Sequence, residues 1–151
     1  MRLHITVPGV PESQGSLRHV GRGRLIAQNE GRLKAWRSAV EAAAREAWAG
    51  TDPLDGPCKV RLTFRLPRPA GHYGTGRNAD RLRPSAPNYP ERKKDLDKLI
   101  RAVFDALTYA AVWTDDSRAV QVLALKMYAD HRPPGVTIHL DPIPHAETLA
   151  A

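Results

Sequence analysis

Alternation of apolar and polar residues picks out the strands first. In CKVRLTFRL (58–66), Cys58, Val60, Leu62, Phe64 and Leu66 fall on one side, with Lys59, Arg61, Thr63 and Arg65 on the other. That period of two is the signature of a strand with one buried face. LHITV (3–7) alternates in the same way, and GVTIHL (135–140) aligns Val136, Ile138 and Leu140 after the turn RPPG. RAVQVLALKMYA (118–129) is β-branched and apolar nearly throughout, which predicts a central strand. Helical spacing governs two other stretches. From about Arg32 to Ala49, Leu33, Trp36, Val40, Ala43 and Ala47 share a face, with Asn29 placed to cap and Gly50 to stop. From about Asp97 to Tyr109, Leu99, Ile100, Val103, Phe104 and Leu107 form a stripe opposite Lys98, Arg101, Asp105 and Thr108.

Two stretches lack either period. Residues 8–31 are rich in Gly, Pro and Ser, carry Arg18, Arg22 and Arg24, and read as a loop with room for a hairpin. Residues 67–94 hold five prolines and three glycines and read as a long connection, functional or disordered. The order β-α-β-loop-α-β-β predicts an α+β fold, a mixed sheet packed with two main helices. One domain over 1–140 is expected, followed by a flexible tail over 141–151.

At 151 residues the chain is long enough to bury a core. No apolar run reaches the ~18 residues needed to span a membrane. Pro8 interrupts the N-terminal apolar segment too early for a signal peptide. The single cysteine, Cys58, has no partner for an internal disulfide, which fits a reducing, cytoplasmic setting. Its place in the alternation makes it a small buried side chain.

Charge changes the picture more than size does. Eight Lys or Arg and two acids lie between Arg65 and Lys94, so this segment carries +6 of the net +7. A field so localised favours a polyanionic partner, most simply nucleic acid, although a solubilising loop would look the same. If the segment orders on DNA or RNA, Tyr73 and Tyr89 are placed to stack on bases; otherwise they pack within the loop.

The acids sit against this basic background. In KKDLDKLIRAVFDAL (93–107), Asp95 and Asp97 are two residues apart. Inside a helix they would diverge by about 200°, so they can address one ion only before the helix or at its cap, where Asp97 is a good cap residue. Acids at a helix start are also stabilised by the macrodipole with no metal. WTDDSRAV adds Asp115 and Asp116, which reach this pair if YAAVWT (109–114) carries the chain back along the helix. Three gathered carboxylates repel one another unless some protonate or a cation joins them, and a hard ion such as Mg²⁺ suits them, with Mn²⁺ as a substitute. Asp105 lies one turn beyond Arg101, at the spacing of an i,i+4 ion pair that would orient the guanidinium. The six histidines have no metal-ligand spacing, and His139 is expected to face solvent or pack on its strand.

The ordered set D-x-D, D-A-L-T, W-x-D-D and V, in KKDLDKLIRAVFDAL, VWTDDSRAVQV and KMYA…PPGVTIHL, resembles the RusA family of Holliday junction resolvases. The likeness is strongest over 93–140, and PGVPESQGSLR with the following helix extends it over most of the chain. The resemblance implies a small homodimeric, Mg²⁺-dependent endonuclease of DNA recombination and repair, typically phage- or prophage-associated. Such an enzyme nicks four-way junctions in symmetric pairs. By position, the metal-binding acids fall on Asp95, Asp97 and Asp116, with Asp115 the less favoured alternative to the last. The family's functional lysine falls on Arg101, which keeps the charge but is no proton donor. Lys98 stands where Asn is common. Asp95, Asp97, Asp116 and Arg101 are therefore the expected catalytic set, and Arg92, Lys93, Lys94 and Lys98 the expected DNA contacts. Two rival readings remain: a branched-DNA or duplex-binding protein without nuclease activity, and a nuclease acting on flaps or forks.

Overall fold

The computed structural model describes residues 1–15 and 30–144 in full, together with the backbone of 17–19 and 25–27. Its main elements are β1 (Leu3–Pro8), β2 (Leu17–His19), β3 (Leu25–Ala27), α1 (Glu30–Trp48), β4 (Cys58–Leu66), α2 (Leu96–Tyr109), β5 (Ala119–Tyr128) and β6 (Gly135–Pro142). β1, β6, β4 and β5 form one sheet in that order. β6 runs antiparallel to β1 and β4, while β4 and β5 are parallel. β2 and β3 pair antiparallel, the hairpin that 8–31 had room for. Arg22, Arg24, Asn29, the side chain of Arg18 and the segment 145–151 lie outside the described residues. The expected α+β class is what the chain adopts.

Register sets which face is wet. Leu3, Ile5 and Val7 lie opposite Leu140, Ile138 and Val136. Those three lie in turn opposite Val60, Leu62 and Phe64. All of these except the partly buried Ile5 are buried, and α1 and α2 cover them. The other face presents His4, Thr6, Thr137, His139, Lys59 and Arg61, so the domain has two layers. On that face His4 stacks on His139 with ring centroids 3.8 Å apart. Gly135 opens β6 so tightly against β1 that a Cβ there would collide with the Val7 carbonyl oxygen.

Several expectations need correction. The buried line of α1 is Leu33, Trp36, Val40, Ala44 and Trp48, whereas Ala43 is half-buried and Ala47 exposed. Trp48 offers far more apolar area than Ala47, and its ring N–H also reaches the Asp52 carbonyl at 3.1 Å. Arg65, on the polar side of β4, is nevertheless buried. Its guanidinium donates to the Pro133 carbonyl (3.2 Å) and Thr137 Oγ1 (2.9 Å), so the turn before β6 covers it. β6 continues past Leu140 through Pro142, with Asp141 opposite Lys59, and the Ile143 N–H reaches the Pro57 carbonyl at 2.8 Å. β5 is an edge strand rather than a central one, since only β4 pairs with it among the described residues.

The segment 67–94 is not featureless. Short 3₁₀ turns at Ala70–His72 and Gly76–Asn78 and a bridge between Tyr73 and Leu82 fold it on itself. Arg68 anchors it. Its guanidinium makes two bonds to Asp130, at 2.8 and 2.9 Å, donates to the Pro87 carbonyl at 2.7 Å, and lies 4.1 Å above the Tyr128 ring. The hydrogen bond from Arg68 holds the Asp130 carboxyl below its ordinary value of 3.8. A carboxyl depressed in the fold stabilises it above the unfolded value and stops doing so as pH falls through the folded value. Proteolytic nicking within 67–94 should therefore accelerate as pH drops below about 4. Asp130→Asn should reproduce that acceleration at neutral pH, as read by limited proteolysis.

Cys58 is fully buried, as its alternation implied. Burial pushes its thiol up to about 11. At pH 8 it should resist a thiol reagent in the folded chain and react only after denaturation. Among the described residues, no helix is long and apolar enough to cross a membrane.

Candidate active site

α2 is built for its place. Leu99, Ala102, Val103, Ala106 and Leu107 are buried, which leaves Asp97, Lys98, Arg101 and Asp105 on its other side. The helix starts one residue earlier than expected, at Leu96, so Asp95 is the cap residue and Asp97 sits in the first turn. Asp95 has extended backbone angles (φ −64°, ψ 130°) and its side chain caps no N–H. The pair thus straddles the helix mouth, one acid outside the helix and one inside. Both are exposed, and both meet the positive end of the helix dipole.

The return path brings in the third acid. After Ala110 the chain reverses at Ala111, which has a left-handed φ of 57°. Val112 and Trp113 then insert into the core. The Trp113 ring N–H donates to Thr108 Oγ1 at 2.8 Å, and its ring meets Phe104 edge-on at 5.1 Å. Residues 112–114 are braced by Leu54, whose N–H reaches the Val112 carbonyl at 2.9 Å and whose carbonyl accepts from Thr114 at 3.0 Å. Just beyond, Arg118 pairs with Asp55 at 2.7 Å. Asp116 is delivered to Arg101, with Nη1 and Oδ2 3.7 Å apart. Asp115 is engaged otherwise. It accepts from the Ser117 N–H at 3.1 Å, and hydrogen bonding from Ser117 lowers its carboxyl.

Arg101 is held from both sides, since Asp105 lies 3.4 Å from its Nε. This is the i,i+4 pair the spacing implied, and Arg37 of α1 approaches the same carboxylate at 3.9 Å. Lys98 contacts Asp95 at 3.3 Å. Among the described residues, no three acids, histidines or cysteines stand close enough together to form a metal-holding group. In this arrangement the carboxylates of Asp95 and Asp116 face cations of the chain itself.

The basic residues divide by role. Arg92 and Lys93 are exposed. Lys94 turns inward instead, with Nζ 3.2 Å from Glu12 and donating to the Pro11 carbonyl. From the other side, Lys126 of β5 donates to the Lys94 carbonyl at 2.8 Å. Glu12 was not singled out from the sequence. It is 6% exposed and also faces Arg32 at 3.8 Å. Its only sequence signal was an acid in the PESQ loop, ahead of a basic stretch distant along the chain. The Gln14 N–H donates to the Lys98 carbonyl at 3.2 Å, which lays that loop along the start of α2. A cleft of about 420 Å³ results, lined by Glu12, Gln14, Arg32, Lys93, Asp95 and Lys98 among others. Tyr89 is 64% exposed, whereas Tyr73 is half-buried within its loop.

A hard divalent ion suits the chemistry of these donors, because Asp95, Asp97 and Asp116 offer only carboxylate oxygens. Gln14 Oε1, buried and without a hydrogen-bond partner, lines the cleft that Asp95 lines and adds a further oxygen. Nitrogen or sulfur ligands of the kind zinc takes are absent from this set.

Carboxylates at a helix mouth beside a basic rim are the kind of groups that can handle the phosphates of a nucleic acid. The family model described as Endodeoxyribonuclease RusA matches residues 7–141. The crossover junction endodeoxyribonuclease RusA of Escherichia coli (strain K12) is 32% identical over 123 residues, covering 82% of this chain and 81% of that protein. That of Enterobacteria phage 82 is 32% identical over 124 residues, covering 82% of each. The chain belongs to the RusA family of endodeoxyribonucleases.

Proposed function

We propose that this chain resolves Holliday junctions, cutting four-way DNA by paired symmetric nicks in recombination and repair. One observation carries the reading. The return segment 110–116 delivers Asp116 to Arg101, one turn along α2 from Asp97, beside the cleft that Asp95 and the basic residues line. The names of the relatives, crossover junction endodeoxyribonucleases, supply the substrate.

Asp95, Asp97 and Asp116 are the residues that would hold Mg²⁺, or Mn²⁺ in its place. An ion held there would supply Lewis-acid polarisation of the scissile phosphate and a lowered pKa for the attacking water. The chain's own part is positioning and charge. Asp105 fixes Arg101, whose planar guanidinium releases Asp116 and takes a phosphate oxygen as negative charge develops on it. Arg101 stays protonated throughout, so the proton for the leaving oxygen comes from another donor. Lys98 exchanges Asp95 for backbone phosphate, and Arg92 and Lys93 extend that contact along the strand. Lys94 serves the same DNA surface by holding the segment against the PESQ loop. Two coordinated nicks need two sites, which calls for a two-fold homodimer, and the work is placed in the cytoplasm.

The Lys98–Asp95 and Arg101–Asp116 pairs are also what a binding protein without nuclease activity would use, so one assay must separate the readings. The chain is incubated with a synthetic four-way junction, a flap, a fork and a plain duplex, with and without Mg²⁺. Paired nicks on the junction that require Mg²⁺ are expected. Binding with no cutting of any substrate would favour the binding protein. Equal cutting of flaps and forks would move the activity to another branched DNA.

A further inference from the structure

Arg92, Lys93 and Lys94 line a second cavity besides the cleft they share with Asp95, and it holds about 590 Å³. Sites that enclose a small molecule run from about 300 to 1,000 Å³. Its walls differ in kind from those of the cleft. Leu66, Pro67, Pro69, Pro87, Pro90 and Tyr128 supply apolar surface. Glu91 is the one acid among its described lining residues, and it stands against exposed Arg92 and Lys93 on the same rim. Lys94 is turned toward Glu12 instead.

Arg68 holds these walls in place. Its guanidinium bonds Asp130 and the Pro87 carbonyl, lies against the Tyr128 ring, and reaches His72 Nδ1 at 3.2 Å. His72 also lines the cavity and meets Tyr128 edge-on, with ring centroids 5.4 Å apart. An arginine can only donate, so Nδ1 accepts and the imidazole carries its proton on Nε2. Ser85 adds a hydroxyl on the exposed side. Proline walls have a fixed φ and no N–H to satisfy, so an occupant loses little to ordering them.

This combination suits a group that is apolar on its faces, polar at its edge and tethered to an anion. A nucleobase whose phosphate lies on the rim is such a group. We propose that the pocket takes one unstacked base of the DNA strand whose backbone crosses Arg92 and Lys93. The inference rests on the reading of the chain as a DNA-cutting enzyme and deepens it, giving the cleft the backbone and the adjoining pocket a base. Charge selects a nucleotide over a purely apolar guest, because the two exposed cations outnumber Glu91 at the rim. Extruding a base costs most in a fully paired duplex and least where pairing is already broken. The pocket therefore favours DNA at a branch over plain duplex.

The test uses the full chain without Mg²⁺, so that DNA is bound and not cut. Four-way junctions carrying 5-iodouracil at successive positions around the crossover are irradiated with the chain, and the adducts are mapped by mass spectrometry. One position should give an adduct on Tyr128 or His72. Ser85→Trp, which sets a ring at the rim, should abolish that adduct and weaken junction binding about ten-fold, the scale of one stacked base. Its binding of plain duplex should stay within about twofold of the parent, since backbone contacts are untouched. An abasic site at the adduct position should weaken binding by the parent to the same extent and by Ser85→Trp hardly further, because both changes remove one contact. Far-UV dichroism checks that the variant is folded, and the adduct on the parent chain decides without it. A bound junction with no adduct on Tyr128 or His72, or losses from the variant and the abasic site that simply add, would overturn the pocket and leave junction cutting to its own assay. A chain that binds neither junction nor duplex would overturn both readings.

Discussion

Replacing Asp116 by Asn is expected to lower junction cleavage by about 10²-fold or more, because it removes a charged ligand of the divalent ion that the site is proposed to hold. The melting temperature should hardly move. Asp116 is about one-third exposed and its link to Arg101 is 3.7 Å long, so as a surface ion pair it contributes little to the fold. Asn keeps the shape and removes the charge, so binding of the junction should persist. Asp115→Asn supplies the comparison. That side chain is committed to the Ser117 N–H, and its loss should cost cleavage only a few-fold. Single-turnover cleavage of one junction by the parent and both variants checks the assignment. Equal losses at 115 and 116 would show that the turn, rather than the Asp116 carboxylate, matters.

The second large effect is structural and reaches the site from behind. Trp113 is 1% exposed, packs edge-on against Phe104, and is bonded through its ring N–H to Thr108. Truncating such a side chain to Ala costs about 3–5 kcal/mol through lost burial and the cavity left behind. For a domain of this size that is a fall of roughly 6–20 °C in melting temperature. Trp113 also pins the return segment that delivers Asp116, so cleavage should fall at temperatures where the variant is still folded. Trp113→Phe keeps the ring contact and loses the hydrogen bond, and it should recover most of both losses. Thermal melting and cleavage measured at 20 °C separate stability from positioning.

How much of this was legible in the sequence follows from what periodicity can and cannot encode. The alternation in 58–66 identified the buried face of β4 because each side chain reports its own face. It misplaced only Arg65, since the cover over that residue comes from Pro133 and Thr137, about seventy residues away. The apolar run of β5 was read as a central strand. Among the described residues only β4 pairs with it, because an apolar composition does not encode which strands become neighbours. The cap fell on Asp95 rather than on Asp97, which moved into the first turn, a shift of the boundary within the usual uncertainty of helix ends. The approach of Asp116 to Arg101 was an allowed outcome rather than a necessary one. It depends on the left-handed Ala111 and on Trp113 turning inward, which no short-range pattern specifies. Glu12 and the Arg68–Asp130 clamp went unseen for the same reason, because each joins residues far apart in the chain.

If Asp95, Asp97 and Asp116 hold a divalent ion, that ion displaces Lys98 and Arg101 from their carboxylates. The most direct test is a crystal of the chain soaked in Mn²⁺, with the ion located by its anomalous signal. An ion is expected in contact with Asp116 and with at least one of Asp95 and Asp97, at about 2.0–2.3 Å, with Arg101 turned away from Asp116. An intact Arg101–Asp116 pair with no ion at the three aspartates, in a protein that cuts junctions under the same Mn²⁺, would contradict it.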